Sequence, residues 1–497
     1  MNDNTITLAE NQDKSTMEPE NNKNNPSARA QEEYEKDLPI KHALERYLAA
    51  IRSIGTTANI TLPHIAKWWI SEVEKSRKNI EKHLPEKTED NDWPKRFTLE
   101  SAREFAEFSS AAREFNELRE QKFTKVLTKS LFTQLFAEFD AFIGELLKAI
   151  YLKNDKLLKG ISREISLSDL MEFDDINSVK ISMLNKEIET FRRDSYIDQF
   201  STLEKKFNIK LRKFSEWGMF VELSQRRNIF THNGGAVSDQ YLLVCEREGY
   251  KFENRPKIGE ITDVTFEYFG SASRLLSKVG LMLAYTLWSK VFPHEISEIH
   301  TALNDTIFRC LQHKRWRFVA ELSDFALSEP MRKNISEIDL RIRIINAAIG
   351  LKFSNLDDEA KKILNSVDWS ASYRDFKLAI LVIQEQYDEA IKIMKSIGKS
   401  GEIIRQPDYH TWPLFSKFRE QPEFYDAYYE VYGEAFAERI ETPKGAVEAS
   451  AKSGKVSARK KTNSSITDIT PSITSHKSAI SKNKTKTTKV LKPKTSP

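Results

Sequence analysis

Residues 217–235 read Trp-Gly-Met-Phe-Val-Glu-Leu-Ser-Gln-Arg-Arg-Asn-Ile-Phe-Thr-His-Asn-Gly-Gly. Phe220, Leu223 and Phe230 follow helical spacing and form a stripe that is expected to face a core. Asn233-Gly234-Gly235 is expected to stop the helix, because Asn and Gly tolerate the left-handed conformation that follows a helix C-terminus. The stretch therefore predicts an amphipathic helix ending at about His232.

Three polar residues of this helix suit chemistry on a phosphate. Arg227 interrupts the apolar stripe, and Asn228 and His232 lie four residues apart, on neighbouring turns. An arginine fork matches phosphate oxygens, and a histidine moves protons near neutral pH. Arg227 and His232 are five residues apart, so an unbroken helix directs them about 140° apart. The spacing favours a site completed across a homodimer; a helix that frays before His232 is the other interpretation.

The pattern Arg227-Asn228, then His232 and Asn-Gly, resembles the Arg-x(4–6)-His motif of HEPN domains. Residues 135–142, Leu-Phe-Ala-Glu-Phe-Asp-Ala-Phe, are similar to the first core helix of several HEPN families, with Asp140 as its acidic residue. The resemblance covers residues 120–292 and implies a helical bundle that dimerises through its motif-bearing helices. It also implies a metal-independent endoribonuclease of a toxin or antiviral defence system, with Arg227, Asn228, His232 and Asp140 in its site.

The expected reaction is attack of a ribose 2′-hydroxyl on the adjacent phosphate, with His232 handling a proton and Arg227 stabilising the transition state. A second interpretation is that Arg227 pairs with a carboxylate and His232 only ends the helix. A separate alternative for the function is a non-catalytic interaction protein that dimerises and binds RNA or nucleotide. No glycine-rich cofactor fingerprint and no zinc spacing occurs, so neither a cofactor nor a metal is expected.

The whole chain of 497 residues is predicted to be all-α with five regions. The predicted regions are a disordered segment at 1–38, a helical region at 39–119, the HEPN-type domain at 120–293, a repeat-like helical region at 297–440 and a basic disordered tail at 443–497. The tail carries thirteen Lys or Arg against two Asp or Glu. Such a tail can bind nucleic-acid backbone without sequence preference, or serve only for solubility.

Two further sequence patterns predict local structure. Ala320, Ala360 and Ala390 recur in similar helical segments, which resemble a degenerate tetratricopeptide-type array that recruits a protein partner. An ordinary helical domain is the other interpretation of this region. Residues 241–252 alternate apolar runs around Glu248-Gly249, which suggests a short β-hairpin.

The chain contains only two cysteines, Cys245 and Cys310, which fits a reducing compartment. The sequence starts without a signal-peptide pattern and contains no apolar run of about 20 residues. A cytoplasmic protein without a membrane segment is therefore expected.

Overall fold

A computed structural model describes residues 38–84, 98–99 and 101–436, and every regular element within them is helical. The α-helices, in chain order, are α1 (Pro39–Glu81), α2 (Ala102–Glu120), α3 (Phe123–Lys153), α4 (Asp155–Lys159), α5 (Leu167–Leu170), α6 (Ile176–Arg193), α7 (Tyr196–Phe207), α8 (Trp217–His232), α9 (Asp239–Arg247), α10 (Phe266–Val291), α11 (Ile296–Gln312), α12 (Trp316–Ala326), α13 (Glu329–Arg332), α14 (Glu337–Lys352), α15 (Asp357–Leu364), α16 (Arg374–Ile383), α17 (Tyr387–Ile397), α18 (Gln406–Thr411) and α19 (Pro422–Tyr432). Single 3₁₀ turns lie at Pro293–Glu295, Pro413–Phe415 and Phe418–Glu420. The all-α prediction is confirmed. The predicted disordered segments lie outside the described residues, except for Leu38.

Helix α3 is the centre of the first half of the structure, where α1, α6, α8 and α10 pack against it. Phe139 is fully buried, and its ring lies 5.9 Å from Tyr47 of α1 and 5.7 Å from Phe220 of α8. Tyr47 also crosses α10 at Gly280, where an added Cβ would lie 2.4 Å from the tyrosine ring. Only glycine therefore permits this crossing, which locks α1 to α10.

The predicted hairpin at 241–252 is wrong, because residues 239–247 form α9. The Ser238 hydroxyl accepts a hydrogen bond from the Tyr241 amide at 3.1 Å and so caps the helix N-terminus. Tyr241, Leu242 and Cys245 are buried, a spacing that fits one face of a helix and not one face of a strand. The aliphatic residues of this segment have the composition of a strand. The capping serine and the spacing of the buried residues instead favour a helix.

The C-terminal region contains α11–α19 and shares one continuous buried core with the first half, extending from Leu38 to Tyr428. Ala320, Ala360 and Ala390 are all buried in helices, as small residues at helix crossings are expected to be. An added Cβ on Gly350 of α14 would lie 2.6 Å from Val319, beside Ala320. The close crossing explains the small residues there, whereas the tetratricopeptide likeness and the predicted domain boundaries stay predictions.

Candidate functional site

Helix α8 carries the predicted motif, and its two ends are fixed by glycines. Near its start, an added Cβ on Gly218 would lie 2.7 Å from the Tyr250 backbone nitrogen, so only glycine lets α8 approach that turn. At its end, Gly234 and Gly235 have φ values of 58° and 90°. The amides of Asn233 and Gly235 donate to the Ile229 carbonyl at 2.8 and 2.9 Å. The predicted helix stop after His232 is confirmed.

A buried carboxylate holds the middle of α8 in place. Glu222 is fully buried and accepts hydrogen bonds from Arg226 at 2.6 Å, Tyr241 at 2.6 Å and Tyr268 at 2.7 Å. The Arg226 guanidinium also donates to the Asp263 carbonyl at 3.1 Å and lies 4.2 Å from the centre of the Tyr268 ring. This network joins α8 to α9 and α10, so Arg226 has a structural partner that its neighbour Arg227 does not share.

The sequence reasoning missed this network. Glu222 and Arg226 stand four residues apart on one helix, which was the only signal available. The two tyrosines come from distant parts of the chain.

Arg227 meets Asp140, and both lie half-buried between α8 and α3. The guanidinium donates to Asp140 Oδ2 at 3.1 Å and to Asn228 Oδ1 at 3.1 Å. The other oxygen of Asp140 accepts from the Tyr196 hydroxyl at 2.6 Å. The structure therefore brings together Arg227, Asn228 and Asp140, and adds Tyr196, which the sequence did not single out.

Tyr196 is a fixed donor in this group. Burial, reinforced by the charge of Asp140 and the hydrogen bond to it, raises the pKa of Tyr196 well above its ordinary value. The hydroxyl therefore stays neutral and donates to the carboxylate. Because one oxygen of Asp140 is engaged in this way, its other oxygen is oriented toward Arg227.

His232 stands apart from the other predicted site residues. It is exposed at the last position of α8, and no described residue forms a hydrogen bond or ion pair with its imidazole. The helix continues through His232, so fraying does not bring the ring toward Arg227. Within one chain, the five-residue separation keeps the two side chains about 140° apart around the helix.

Lys129 of α3 is a further cation close to the end of α8. Its ammonium group lies 4.8 Å from the centre of the Phe230 ring, and the backbone of Gly235 is nearby. Since Arg227 faces Asp140 while Phe230 faces Lys129, α8 runs antiparallel to α3. Lys129 and Asp140 are eleven residues apart and fall within about 20° on one face of α3. This helical spacing was visible in the sequence, but nothing in the motif singled out Lys129.

The motif lies on the protein surface. The cavity of about 680 Å³ bordered by Phe200, Leu211, Met282 and Met331 does not include Arg227 or His232 in its lining.

Among the described residues, no group of three or more His, Cys, Asp or Glu is arranged to hold a metal ion. None of the described helices is long and apolar enough to cross a bilayer.

The arrangement can hold one phosphate group at Arg227 while presenting a separate proton-transfer group at His232. The likeness to HEPN domains rests on the residues quoted above. Comparisons with protein-family models, with curated proteins and with solved structures found no match.

Proposed function

We propose that this protein is a metal-independent endoribonuclease of the HEPN type that acts as a homodimer. The observation that carries the proposal is the placement of Arg227 and Asn228 on one helix against Asp140, with His232 exposed at the end of the same helix. These are the residue types that recognise a phosphodiester and transfer a proton near neutral pH.

The proposed reaction needs no group beyond the chain's own residues. The ribose 2′-oxygen loses its proton and attacks the adjacent phosphorus, and the bond from phosphorus to the 5′-oxygen breaks. The products are a 2′,3′-cyclic phosphate and a free 5′-hydroxyl. His232 transfers a proton in this exchange, and Arg227 stabilises the negative charge that accumulates on the phosphate oxygens.

Asp140 and Tyr196 act as positioning residues in this scheme. The Asp140 carboxylate holds one edge of the Arg227 guanidinium, and Tyr196 holds the carboxylate. Arginine carries five N–H donors, and the two hydrogen bonds to Asp140 and Asn228 engage two of them. The remaining donors suit the two oxygens of a phosphate.

Dimerisation is proposed because one chain keeps Arg227 and His232 on different sides of α8. Near the end of α8, the side chains of Val126, Ile261 and Phe266 are 64%, 63% and 52% exposed. Lys125, next to Val126, pairs with Asp263 at 2.6 Å, and the hydroxyl of Thr262, next to Ile261, donates to the Gly235 carbonyl at 3.0 Å. Large apolar side chains that are exposed suit burial against a second copy.

The biological setting follows from the resemblance alone. We propose a toxin or antiviral role in the cytoplasm, with RNA as substrate and a protein partner bound by α11–α19. The second candidate is a non-catalytic protein that dimerises and binds RNA or nucleotide. The pair between Arg227 and Asp140 favours that candidate, because the carboxylate offsets part of the charge that the guanidinium would offer a substrate.

RNA cleavage in the presence of EDTA separates the two candidates. The wild type is expected to cleave, and Arg227→Ala and His232→Ala are expected to lose roughly a hundredfold in rate or more. Arg193→Ala and His64→Ala, which change exposed residues of the same types elsewhere, serve as matched controls. A 2′-deoxy substitution at the cleaved position should abolish the reaction. Equal rates in all five proteins would exclude the motif from catalysis, and binding without turnover would favour the second candidate.

A further inference from the structure

The turn between α11 and α12 gathers positive charge from three parts of the chain. His313, Lys314 and Arg315 follow one another in this turn, which closes with a left-handed Lys314 (φ 56°) and a hydrogen bond from the Arg315 amide to the Cys310 carbonyl at 2.9 Å. Helices α1 and α10 contribute Arg52 and Arg274 to the same place. The basic cluster is defined as Arg52, Arg274, Arg309, His313, Lys314, Arg315 and Arg317.

Two adjacent cavities lie at the basic cluster, and Arg315 lines both of them. The smaller, of about 260 Å³, is bordered by Arg52, Arg309, His313 and Arg315. The larger, of about 720 Å³, is bordered by the other members of the cluster and by an aromatic pair. The first has the size for a single anionic group, and the second has room for a larger organic body.

The carboxylates nearby do not balance this charge. Glu45 pairs with Arg309, and Glu321 pairs with Arg274 at 3.3 Å and with Arg317 at 3.1 Å. These are the acidic residues among those described that line the two cavities. The two cavities are therefore lined by six Arg or Lys and one His but by only two Glu among the described residues.

Arg315 is the most exceptional member of the cluster. Its side chain is half-buried, yet no described carboxylate pairs with it. Its guanidinium donates to the Ser277 hydroxyl at 3.2 Å and lies 4.3 Å from the centre of the Phe318 ring. Burial, together with the charges of Arg52 and Arg274, lowers the pKa of Arg315. A half-buried cation beside two other cations is costly unless an anion joins it.

An aromatic pair lies beside these cations in the larger cavity. The rings of Trp316 and Phe353 are stacked with centroids 4.7 Å apart and an angle of 25° between their planes. Both side chains are half-buried, so part of the pair stays accessible. Aromatic faces beside a track of cations are the combination that binds single-stranded nucleic acid.

We propose that the basic cluster binds the backbone of a single RNA strand, with a phosphate between Arg52 and Arg315 and a base on the Trp316–Phe353 pair. The choice of RNA as ligand rests on the proposed function, whereas the charge imbalance does not. The cluster is built from α1, α10, α11, α12 and the turn between α11 and α12, and is separate from the motif on α8. It acts as a substrate-docking surface that increases the affinity for RNA without contacting the reacting atoms.

The test measures RNA binding by the full-length chain carrying His232→Ala, so that cleavage does not interfere. A fluorescent single-stranded RNA of about 12 nucleotides is titrated by anisotropy between about 50 and 200 mM salt. Arg52→Gln with Arg315→Gln is expected to weaken binding at least tenfold at low salt. It should also reduce the slope of log K against log salt by roughly 0.7, because the two arginines hold one phosphate and each lost phosphate contact on a single strand removes about 0.7.

The control is Arg113→Gln with Arg193→Gln, which removes the same charge from exposed sites outside the cluster. Arg52→Gln alone is the second variant, because Arg52 is exposed and its loss leaves the fold intact. It should weaken binding less than the double variant and lower the slope by no more than that variant does. Equal binding by the cluster and control variants would overturn the proposal, as would saturable ATP binding at the cluster without RNA binding.

The two proposals fail separately. Cleavage by the wild type together with RNA binding that is independent of the cluster rejects only the docking surface. RNA binding that depends on the cluster, without cleavage, rejects only the nuclease.

Discussion

Arg227 of α8 and Asp140 of α3 are 87 residues apart in the sequence and join at 3.1 Å. The pair connects the two segments that carry the resemblance to HEPN domains. Its side chains are 27% and 20% exposed, so the contact is shielded from solvent only in part. A pair of this kind fixes the direction of the guanidinium while leaving one edge free for a ligand.

A double-mutant cycle with Asp140→Asn and Arg227→Gln should reveal this coupling. Because the pair is partly shielded, we expect an interaction free energy of about 1 kcal/mol, between that of exposed and of fully buried pairs. Urea unfolding of the wild type, both single variants and the double variant measures it. Additive effects of the two substitutions would mean that the pair contributes nothing to the fold.

Tyr196→Phe should reduce RNA cleavage without changing KM. The substitution removes the hydroxyl that donates to Asp140 at 2.6 Å, so the guanidinium is held less firmly in the transition state. We expect kcat to fall by about tenfold, equivalent to about 1.4 kcal/mol. Tyr285→Phe is the matched control, since its buried hydroxyl contacts Thr306 at 3.1 Å, away from the motif. If both variants lose the same activity, Tyr196 has only a structural role.

Mixing two inactive variants tests the dimeric site. If each site takes Arg227 from one copy and His232 from the other, a heterodimer of Arg227→Ala and His232→Ala contains one intact site and one doubly damaged site. Random exchange makes half of the dimers heterodimers, and each heterodimer has one intact site where a wild-type dimer has two. The mixture should therefore regain about a quarter of wild-type activity. Unfolding and refolding the two chains together, followed by the cleavage assay, measures the recovery. No recovery from a mixture that contains heterodimers would place both residues of a site in one chain.

The sequence predicted the helix of the motif well, because local rules govern it. Gly234 and Gly235 stop α8 where expected, directly after His232. Asp140 was expected in the site through the resemblance alone. Its contact with Arg227 depends on how two distant helices pack, and no spacing in the chain encodes it.

Long-range contacts also explain what the sequence analysis missed. Glu222 receives Tyr268 from 46 residues away, and the basic cluster draws Arg52, Arg274 and Arg315 from three separate helical regions. No local spacing in the sequence predicts that these residues meet. The hairpin prediction failed for a different reason: the segment has the composition of a strand, whereas Tyr241, Leu242 and Cys245 are spaced as one buried face of a helix.

Cys245 should make the protein less stable in alkaline solution. Burial, reinforced by the charge of Glu222, raises the pKa of Cys245 to about 12, above its unfolded value of about 8.5. Between these two values the folded state keeps the thiol proton that the unfolded state releases. The contribution of Cys245 to the free energy of unfolding is therefore complete below about pH 8.5 and is lost as the pH rises toward 12. Within that window the free energy of unfolding should fall by about 1.4 kcal/mol per pH unit more steeply than in Cys245→Ala. Urea unfolding measures the free energy of unfolding of both proteins across this pH range. The same pH dependence in both would show that burial does not raise the pKa of the Cys245 thiol.

Two buried arginines should respond in opposite ways to replacement by methionine. Arg343 is fully buried and donates to Asn304 Oδ1 at 2.8 Å and to the carbonyls of Met331 at 2.7 Å and Ala326 at 3.3 Å. Arg343→Met leaves these acceptors without a donor and should lower the free energy of unfolding by about 3 kcal/mol or more.

Arg315→Met should leave stability unchanged or increase it by up to about 1 kcal/mol, because it removes a half-buried cation that repels Arg52 and Arg274. Inorganic phosphate should raise the melting temperature of the wild type by binding the folded state, and should raise that of Arg315→Met less. Thermal unfolding at low ionic strength, with sodium chloride at matched ionic strength as the reference, measures both effects. A loss of several kcal/mol in Arg315→Met, with the same phosphate response as the wild type, would make Arg315 a structural residue like Arg343 and remove the reason for an anion at the basic cluster.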